Sequence, residues 1–283
     1  MDYFIIIPAH NEEGFLEPTL NAVFGQHLLP KKVVVVNDNS TDGTEAIIDQ
    51  FCERFPNLIK LNITSPEIHL PGSKVVNAFS KGLKLLDDDY GFMVKLDADI
   101  VLPPNYFERV GRIFNEDPKV GIAGGFAYEK DESGRWKLNH PMNKDHVRGA
   151  FKAYGKSCFE AIGGLRSAMG WDTVDELLAK YHGFKVYTDA SLQVRHLRPT
   201  GNAYSKKARL YQGKAMYTMR YGFFITVIAS LKMAIKQGKT LVFFHNLRGY
   251  LTAKGRKVDF MVTEEEGRFI RKYRWQGILK KLT

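Results

Sequence analysis

The stretch FMVKLDADIVLPPN, residues 92–105, contains the two features on which the predicted fold depends. They are a short apolar run and two acidic residues at its end. The apolar run predicts a buried strand, and Asp97 and Asp99 follow it directly. Two carboxylates this close repel each other unless positive charge lies beside them. Asp87 and Asp89 have the same spacing at the end of a helical pattern, where a solvated loop is expected. The pair at 97 and 99 therefore marks a candidate site, and the pair at 87 and 89 is its control.

Three more apolar runs precede this strand, and helical patterns separate them. The predicted strands are Tyr3–Ile7, Val33–Val36, Leu58–Ile63 and Phe92–Leu96. Short apolar strands that alternate with amphipathic helices are typical of a parallel sheet covered on both faces. The sequence therefore predicts an α/β fold with a doubly wound, mostly parallel sheet in the strand order 3-2-1-4. A further strand is predicted within SLQVRHLRPTG, at residues 191–201.

Polar clusters follow three of the predicted strands. They are PAHNEE at 8–13, NDNSTDG at 37–43 and DADIVLPPN at 97–105. Because the carboxyl ends of parallel strands share one edge of the sheet, these clusters should meet in one crevice. Acidic side chains beside helix N-termini suit a nucleotide whose phosphates are bridged by a divalent cation. No GxGxxG or GxxxxGK[ST] motif follows the first strand, which argues against dinucleotide enzymes and P-loop ATPases.

The positive charge of the chain is concentrated in its last part. Residues 202–283 contain 18 Lys and Arg against 4 acidic residues, while the whole chain has a net charge of +10. We predict two domains, a catalytic domain at 1–201 and a helical, basic, amphipathic region at 202–283. An anionic membrane surface is the expected partner of this region. Nucleic acid is not, because the aromatic residues there alternate with aliphatic ones at helical spacing.

The N-terminal sequence MDYFIIIPAHNEE lacks the basic start and the cleavage site of a signal peptide and is expected to form a strand. The two cysteines, Cys52 and Cys158, do not suggest a disulfide framework. The longest apolar stretch, Phe223–Leu231, is about half the length of a spanning helix. The expected location is the cytoplasm, peripherally attached to the inner face of the cell membrane.

Four segments, in order, resemble the family-2 glycosyltransferases with a GT-A fold. They are IIIPAHNEEGFLEPTLNAVFGQ, VVVVNDNSTDGT, VKLDADIVLPP and FEAIGGL…GWDTVDELLAKYHGFKV. Each segment alone is a weak signal, but four in order at normal spacing are specific. The resemblance implies an inverting transferase that uses a nucleotide-diphospho-sugar, with UDP-sugars favoured, and Mn²⁺ or Mg²⁺.

The resemblance also implies which residues bind the donor. Pro8, Ala9, Asn11 and Glu12 would surround the base and ribose, Asp38 would accept the base N–H, Lys74 and Asn77 would lie near the diphosphate, and Asp97 would face the ribose or sugar. For Asp38 the alternative is a helix N-cap, and for Lys74 it is a solvated surface lysine.

The same resemblance implies two metal ligands. Asp99 would bind the cation that bridges the phosphates, and His196, in QVRHLRPTG, would complete the site. A structural histidine is the alternative for His196. Because Mn²⁺ accepts imidazole more readily than Mg²⁺ does, His196 favours Mn²⁺.

Inversion by a single displacement requires a general base for the acceptor hydroxyl. The family usually supplies it from a Glu-Asp pair at a helix start, and the matching dipeptide here is Trp171-Asp172. Asp172 is therefore the predicted base. Asp175 is the alternative, since it lies three residues on and on nearly the same helix face.

The predicted reaction is transfer of one sugar to a hydroxyl of a glycan or lipid-linked acceptor, in synthesis of a cell-surface polysaccharide or glycoconjugate. A non-processive enzyme is expected, because the Gln-x-x-Arg-Trp motif of processive synthases is replaced by RKYRW, with Arg271 in place of Gln. One alternative is a polyprenyl-phosphate sugar synthase. An alternative of another class is a non-catalytic nucleotide- or membrane-binding module.

Overall fold

A computed structural model describes residues 1–66, 72–139, 146–198 and 206–280, with side chains from residue 210 onward in the last range. The chain divides into two compact units. The sheet unit comprises Met1–His69, Lys74–Leu165 and His182–Thr200, and the helical unit comprises Leu70–Ser73, Arg166–Tyr181 and Gly201–Thr283. The predicted boundary at residues 201 and 202 stays a prediction.

The sheet unit is built on one nine-stranded sheet. Its strands are β1 (Tyr3–Ala9), β2 (Lys32–Asp38), β3 (Leu58–Ile63), β4 (Phe92–Leu96), β5 (Ile100–Val101), β6 (Val120–Lys130), β7 (Trp136–Leu138), β8 (Phe151–Gly155) and β9 (Lys185–His196). The order is β3-β2-β1-β4-β8-β6-β9-β5, and β7 pairs with β6. The first four strands are parallel, so the predicted α/β fold and the order 3-2-1-4 are confirmed.

The other half of the sheet contains antiparallel pairs. β8 runs antiparallel to both β4 and β6, and β5 runs antiparallel to β9. The sequence analysis did not predict β6 or β8. Glycines interrupt β6 and a lysine stands inside β8, which removes the apolar run that identifies a buried strand. The segment after residue 128 forms a small ribbon, in which β7 pairs with the end of β6.

Helices cover the sheet and explain why its strands are so apolar. They are α1 (Leu16–Phe24), α2 (Thr44–Arg54), α3 (Ser73–Leu83), α4 (Tyr106–Glu116) and α5 (Lys156–Ala161). All five residues of β4 are buried, as are six of the seven in β1 and in β2. Strands buried on both faces are largely apolar rather than alternating, and Lys95 in β4 is an exception. The covering helices therefore confine polar chemistry to the strand ends.

The helical unit contains α6 (Trp171–Tyr181), α7 (Lys206–Thr218), α8 (Phe223–Gln237), α9 (Thr240–Gly255) and α10 (Glu264–Leu279). α6 packs against α10, where the rings of Tyr181 and Phe269 lie 5.5 Å apart and Lys180 Nζ donates to the Tyr273 hydroxyl at 3.0 Å. α6 is thus held by elements that follow it by almost a hundred residues.

Two glycines let α7 and α9 approach each other closely. A Cβ atom at Gly213 would lie 1.8 Å from the Asn246 carbonyl oxygen, and one at Gly249 would lie 2.1 Å from the Leu210 carbonyl oxygen. Both distances are far below van der Waals contact, so only glycine allows this packing.

Candidate active site

Asp97 and Asp99 are held by contacts from two other elements of the sheet unit. The Asp97 backbone N–H donates to the Ala150 carbonyl at 2.7 Å. Thr19, buried on α1, donates its hydroxyl to the Ala98 carbonyl at 2.7 Å and accepts the Ile100 N–H at 3.1 Å. One threonine therefore satisfies backbone groups on both sides of Asp99, which holds the backbone of this turn.

Antiparallel pairing brings His196 to Asp99. β5 pairs Ile100 with His196, and the Leu197 N–H donates to the Asp99 carbonyl at 2.9 Å. His196 Nε2 then lies 3.3 Å from Asp99 Oδ2, and both side chains are almost buried. The structure thus places the two predicted metal ligands in direct contact.

The protein supplies its own cations to both aspartates. Lys95, buried in β4, forms an ion pair with Asp97. Arg198 pairs with Glu12, and its Nε lies 3.7 Å from Asp99 Oδ2. The sequence analysis missed both cations. Lys95 was detectable as the lysine inside an otherwise apolar strand, whereas Arg198 follows His196 by two residues without a distinguishing signal.

These surroundings separate the acidities of three carboxyl groups. Burial raises the pKa of Glu12 to about 7; the Arg198 guanidinium opposes this, and the charges of Asp99 and Asp97 add to it. Burial also raises the pKa of Asp97 against the opposing charge of Lys95. For Asp99, burial acts to raise the pKa, but the hydrogen bond from His196 and the charges of His196 and Arg198 outweigh it and lower the pKa. Asp99 is therefore held in the ionised form.

The residues around His196 are suited to a divalent cation. No group of three or more Asp, Glu, His or Cys side chains with metal-binding geometry occurs within the described ranges, so protein ligands would be few. Asp99 offers a carboxylate oxygen and His196 an imidazole nitrogen, both acceptable to Mn²⁺. His196 Nδ1 is buried and has no hydrogen-bond partner among the described residues, and the nearest carboxylate oxygen, Glu129 Oε1, lies 3.6 Å away. A metal-binding histidine commonly directs its second nitrogen to such a carboxylate.

Asp38 ends β2 and is almost buried. Its Oδ1 accepts the Ser65 N–H at 2.8 Å. The alternative interpretation of Asp38 as a helix N-cap is wrong, because the N-cap of α2 is Gly43. The carboxylate therefore lies at the carboxyl edge of the parallel strands with a role other than capping.

The loops after β1 and β2 are connected by backbone-to-side-chain hydrogen bonds. The Asn11 N–H donates to the Ser40 hydroxyl at 3.0 Å, and Asn11 Oδ1 accepts the Thr41 N–H at 2.8 Å. The Glu12 N–H donates to the Thr44 hydroxyl at 2.7 Å. Asn11, predicted to contact the donor, thus has a structural task as well, namely holding the two loops at a fixed separation.

The other predicted donor residues lie on two elements of the sheet unit. Pro8 and Ala9 are the last residues of β1. Lys74 and Asn77 lie in the first half of α3, where Lys74 is half-buried and Asn77 is exposed. Ion pairs among the described residues join Glu12, Asp99, His196 and Arg198, and another joins Asp97 to Lys95. Lys74 takes part in none of them.

The two candidate bases are on α6, in the helical unit. Asp172 is the second residue of α6 and is half-buried. Asp175 is only 1% exposed, and its Oδ1 accepts the Glu176 N–H at 2.6 Å. Burial raises the pKa of Tyr221, Arg274 opposes this, and the charge of Asp172 adds to it, so Asp172 lies near that tyrosine. Of the two carboxylates, Asp172 is the more accessible.

A family comparison identifies the class of the chain. The sequence profile described as "Glycosyl transferase family 2" matches residues 4–168, more than half of the chain. The chain belongs to glycosyl transferase family 2. The predicted family is thereby confirmed, and the matched range contains Glu12, Asp97 and Asp99 but neither His196 nor Arg198.

Several curated proteins resemble parts of this family 2 chain. "Minor teichoic acid biosynthesis protein GgaA" of Bacillus subtilis (strain 168) is 29% identical over 146 residues, covering 50% of this chain and 31% of GgaA. "Probable glycosyltransferase YdaM" of the same organism is 43% identical over 65 residues, covering 22% of this chain and 15% of YdaM. The chain thus spans less than a third of the length of either relative.

Solved structures share the fold at low sequence identity. Staphylococcus aureus TarS 1–349 in complex with UDP-GlcNAc matches with a TM-score of 0.58 and 18% identity, over 75% of this chain and 65% of that one. The mannosyltransferase PcManGT from Pyrobaculum calidifontis in complex with GDP-Man and Mn²⁺ has a TM-score of 0.58 and 16% identity, over 98% and 80% of the two chains. These likenesses establish the fold of the family 2 chain.

Proposed function

We propose that this chain is a non-processive, inverting glycosyltransferase that moves one sugar from a nucleotide-diphospho-sugar to an acceptor hydroxyl. The observation that carries the proposal is the cluster of Glu12, Asp97, Asp99, His196 and Arg198 at the carboxyl edge of the parallel strands. Crevices at this edge are where open α/β sheets bind nucleotides. Membership of family 2 supports the same reaction class.

The donor would be bound by groups at the ends of β1, β2 and β4. Asp38 would accept a base N–H, which requires an ionised acceptor at a fixed strand end, and Pro8, Ala9 and Asn11 would flank the base and ribose. Asp97 would face the ribose or sugar, with Lys74 and Asn77 near the diphosphate. TarS and PcManGT were solved with UDP-GlcNAc and GDP-Man respectively, and we favour a UDP-sugar here.

Asp99 and His196 would hold the cation, with Mn²⁺ favoured over Mg²⁺ because one ligand is an imidazole. When bound, the cation would neutralise the diphosphate charge that develops as the glycosidic bond breaks. Arg198 and Lys95 keep the aspartates in place before the donor arrives, because each forms an ion pair with the cluster. For His196 to bind metal, its proton must lie on Nδ1, where Glu129 Oε1 is the nearest acceptor.

Asp172 would take the proton from the acceptor hydroxyl as its oxygen bonds to the anomeric carbon. The bond from that carbon to the phosphate oxygen breaks, and the nucleoside diphosphate leaves with the electron pair. Asp175 is the weaker candidate because it is nearly fully buried and already accepts a backbone N–H.

The acceptor would be a glycan or lipid-linked molecule of cell-surface polysaccharide or glycoconjugate synthesis. GgaA is described as a minor teichoic acid biosynthesis protein, which agrees with that setting. The basic region at 202–283 would bring the enzyme to an anionic membrane surface by charge attraction.

A donor-hydrolysis screen tests the proposal without knowledge of the acceptor. The full chain is incubated with UDP-, GDP- and dTDP-sugars in the presence of Mn²⁺, Mg²⁺ or a chelator, and the released nucleotide is measured. We expect slow hydrolysis of a UDP-sugar that requires the cation and that Asp99→Asn removes. Binding of nucleotide without hydrolysis of any donor would favour a non-catalytic binding module. Transfer to polyprenyl phosphate, and to no glycan, would identify the synthase instead.

A further inference from the structure

α8 and α9 expose large apolar side chains at helical spacing. On α8 these are Phe224, Ile228, Leu231 and Ile235, and on α9 they are Leu241, Phe244 and Leu251. The intervals are three or four residues on α8 and three and seven on α9, which places each set on one face of its helix. We call the seven side chains the apolar set. Phe224 and Ile235 are 72% and 73% exposed. Large exposed apolar side chains that share one face of a helix, rather than being scattered singly, mark an interaction surface.

All the Asp, Glu, Lys and Arg positions in the segment that carries the apolar set are basic. Residues 222–258 contain seven Lys and Arg and no Asp or Glu. Lys232, Lys236 and Lys239 are exposed around the end of α8, and Arg248 is exposed on α9. Lysine and arginine can extend their charged ends away from an apolar face while their stems cover it. The combination of an apolar face and a basic margin is typical of helices that lie in a membrane interface.

Other side chains of α8 and α9 are buried within the protein. Ile225, Thr226, Ser230 and Ala234 of α8 are buried, as are Val242, Gly249 and Tyr250 of α9. Tyr221, just before α8, is also buried. The exposed apolar side chains of α8 therefore begin at Phe223.

A second copy of the chain is a poorer occupant than a bilayer. A symmetric dimer would bring the same seven basic residues of each copy close together, with no acidic residue in the segment to compensate. Anionic lipid headgroups would instead neutralise them. Charge complementarity thus selects an anionic membrane.

We propose that α8 and α9 are the membrane-docking element of this protein and that the apolar set inserts among the lipids of an anionic bilayer. This rests on the proposal that the basic region meets a membrane, and it identifies the element and the side chains that do so. α10 would then serve packing rather than lipid contact.

Flotation of the full chain with vesicles tests the inference. Vesicles of phosphatidylcholine with phosphatidylglycerol are compared with vesicles of phosphatidylcholine alone. We expect binding to the anionic vesicles only, weakened about tenfold by each of Phe224→Gln, Ile235→Gln and Phe244→Gln. Leu29→Gln is the matched control, because Leu29 is 58% exposed but lies in the sheet unit, and it should bind as the wild type does.

A fluorescence measurement separates insertion from charge attraction. In Phe224→Trp the added indole should shift its emission to shorter wavelength with anionic vesicles, relative to the wild type. Vesicle binding that all three Gln variants leave unchanged, or an indole that shows no shift while bound, would overturn the docking role of α8 and α9 but leave the membrane proposal standing. A wild type that binds no vesicle would overturn both. If the protein binds no vesicles but forms dimers, and the Gln variants abolish those dimers, a second copy of the chain covers the apolar set. Cation-dependent donor hydrolysis is measured separately without lipid. A failure of the proposed transferase activity is therefore distinguishable from a failure of membrane docking.

Discussion

At the scale of single residues, the two aspartates of the Asp-x-Asp motif differ in environment although they are one residue apart. Asp97 pairs with buried Lys95, and burial raises its pKa. Asp99 contacts His196 and Arg198, and its pKa is lowered. Carboxylates whose surroundings separate their acidities take different roles. Asp99, held ionised, is the one suited to a metal.

Asp99→Asn should remove Mn²⁺-dependent UDP binding and turnover while leaving the protein folded. The loss follows because an amide lacks the charge that attracts the cation, and the fold should survive because the carbonyl oxygen of Asn can still accept from His196. Calorimetric titration of UDP with and without Mn²⁺ measures it. Asp87→Asn is the control, since Asp87 belongs to the exposed Asp-x-Asp pair and contacts Lys32. Unchanged Mn²⁺-dependent binding in Asp99→Asn would remove Asp99 from the metal site.

Glu12 should make stability depend on pH. Its pKa in the folded protein is raised to about 7 from an ordinary value of 4.5, so the folded state holds this proton more tightly than the unfolded state. The contribution to stability is complete below pH 4.5 and is lost as the pH rises through 7. Between these limits the wild type should lose up to about 3 kcal/mol relative to Glu12→Gln. Urea unfolding of the metal-free proteins across this range measures the difference. A constant difference would show that the pKa of Glu12 is not raised.

Asp172→Asn should reduce turnover by about 10²-fold with little change in donor affinity, as loss of a general base does. Asp175→Asn should instead lower the free energy of unfolding, because Asp175 is buried and asparagine there would add an amide NH₂ group that needs acceptors. Steady-state kinetics combined with urea unfolding distinguishes the two effects. A folded Asp175→Asn that loses more turnover than Asp172→Asn would transfer the role of base to Asp175.

At the scale of elements, close contacts at a few residues determine how a helix packs against its neighbours. α7 and α9 approach at Gly213 and Gly249, where any side chain would collide with a backbone carbonyl. α1 contributes Thr19, which bonds to backbone groups on both sides of Asp99. Neither contact follows from helix propensity, because each depends on an atom of another element.

Gly213→Ala should destabilise the helical unit by several kcal/mol, since its Cβ would lie 1.8 Å from the Asn246 carbonyl oxygen and α7 would have to move. Gly277→Ala is the matched control on α10, where nothing lies within 4 Å of the added Cβ. That change should stabilise the protein by up to about 1 kcal/mol, because alanine favours a helix over glycine. Thermal unfolding followed by circular dichroism compares the two. Equal melting temperatures would contradict the close approach of α7 and α9.

Thr19→Val should loosen the turn that carries Asp99. It leaves the Ala98 carbonyl and the Ile100 N–H without their partner in a buried place, at a cost of about 2 kcal/mol or more. Thr226→Val is the control, because Thr226 is also buried but donates only to Gly222 at the start of its own helix. Mn²⁺-dependent UDP affinity should fall in Thr19→Val alone. An unchanged affinity would show that Asp99 does not depend on Thr19 for its position.

At the scale of the whole molecule, each compact unit is built from three separate segments of the chain. α6 belongs to the helical unit although it precedes β9 of the sheet unit in sequence. The candidate base Asp172 is thus carried by a helix that packs against α10 at the far end of the chain. Among the described helices, none has both the length and the apolar composition to cross a membrane.

One truncation should separate support of α6 from membrane docking. A chain that ends before α10 keeps α8 and α9, and it should still float with anionic vesicles while losing turnover. The loss is expected because α6 gives up its contacts with Phe269 and Tyr273. Hydrogen exchange in peptides covering 166–181 should then accelerate at least about tenfold relative to the full chain. Unchanged exchange there would show that α6 stays folded without α10.

By itself the sequence determined the parallel half of the sheet, its strand order, the family and the residues at the strand ends. Those features depend on local periodicity and on motifs whose own residues lie within a few positions of each other. Only the tertiary structure decided the antiparallel strands β6 and β8, the cations that accompany the carboxylates, and the exposed faces of α8 and α9. Arg198 reaches Glu12 across 186 residues of sequence, and Thr19 reaches Ala98 across 79. A local pattern carries no information about such partners, because the path of the intervening chain decides which side chains meet.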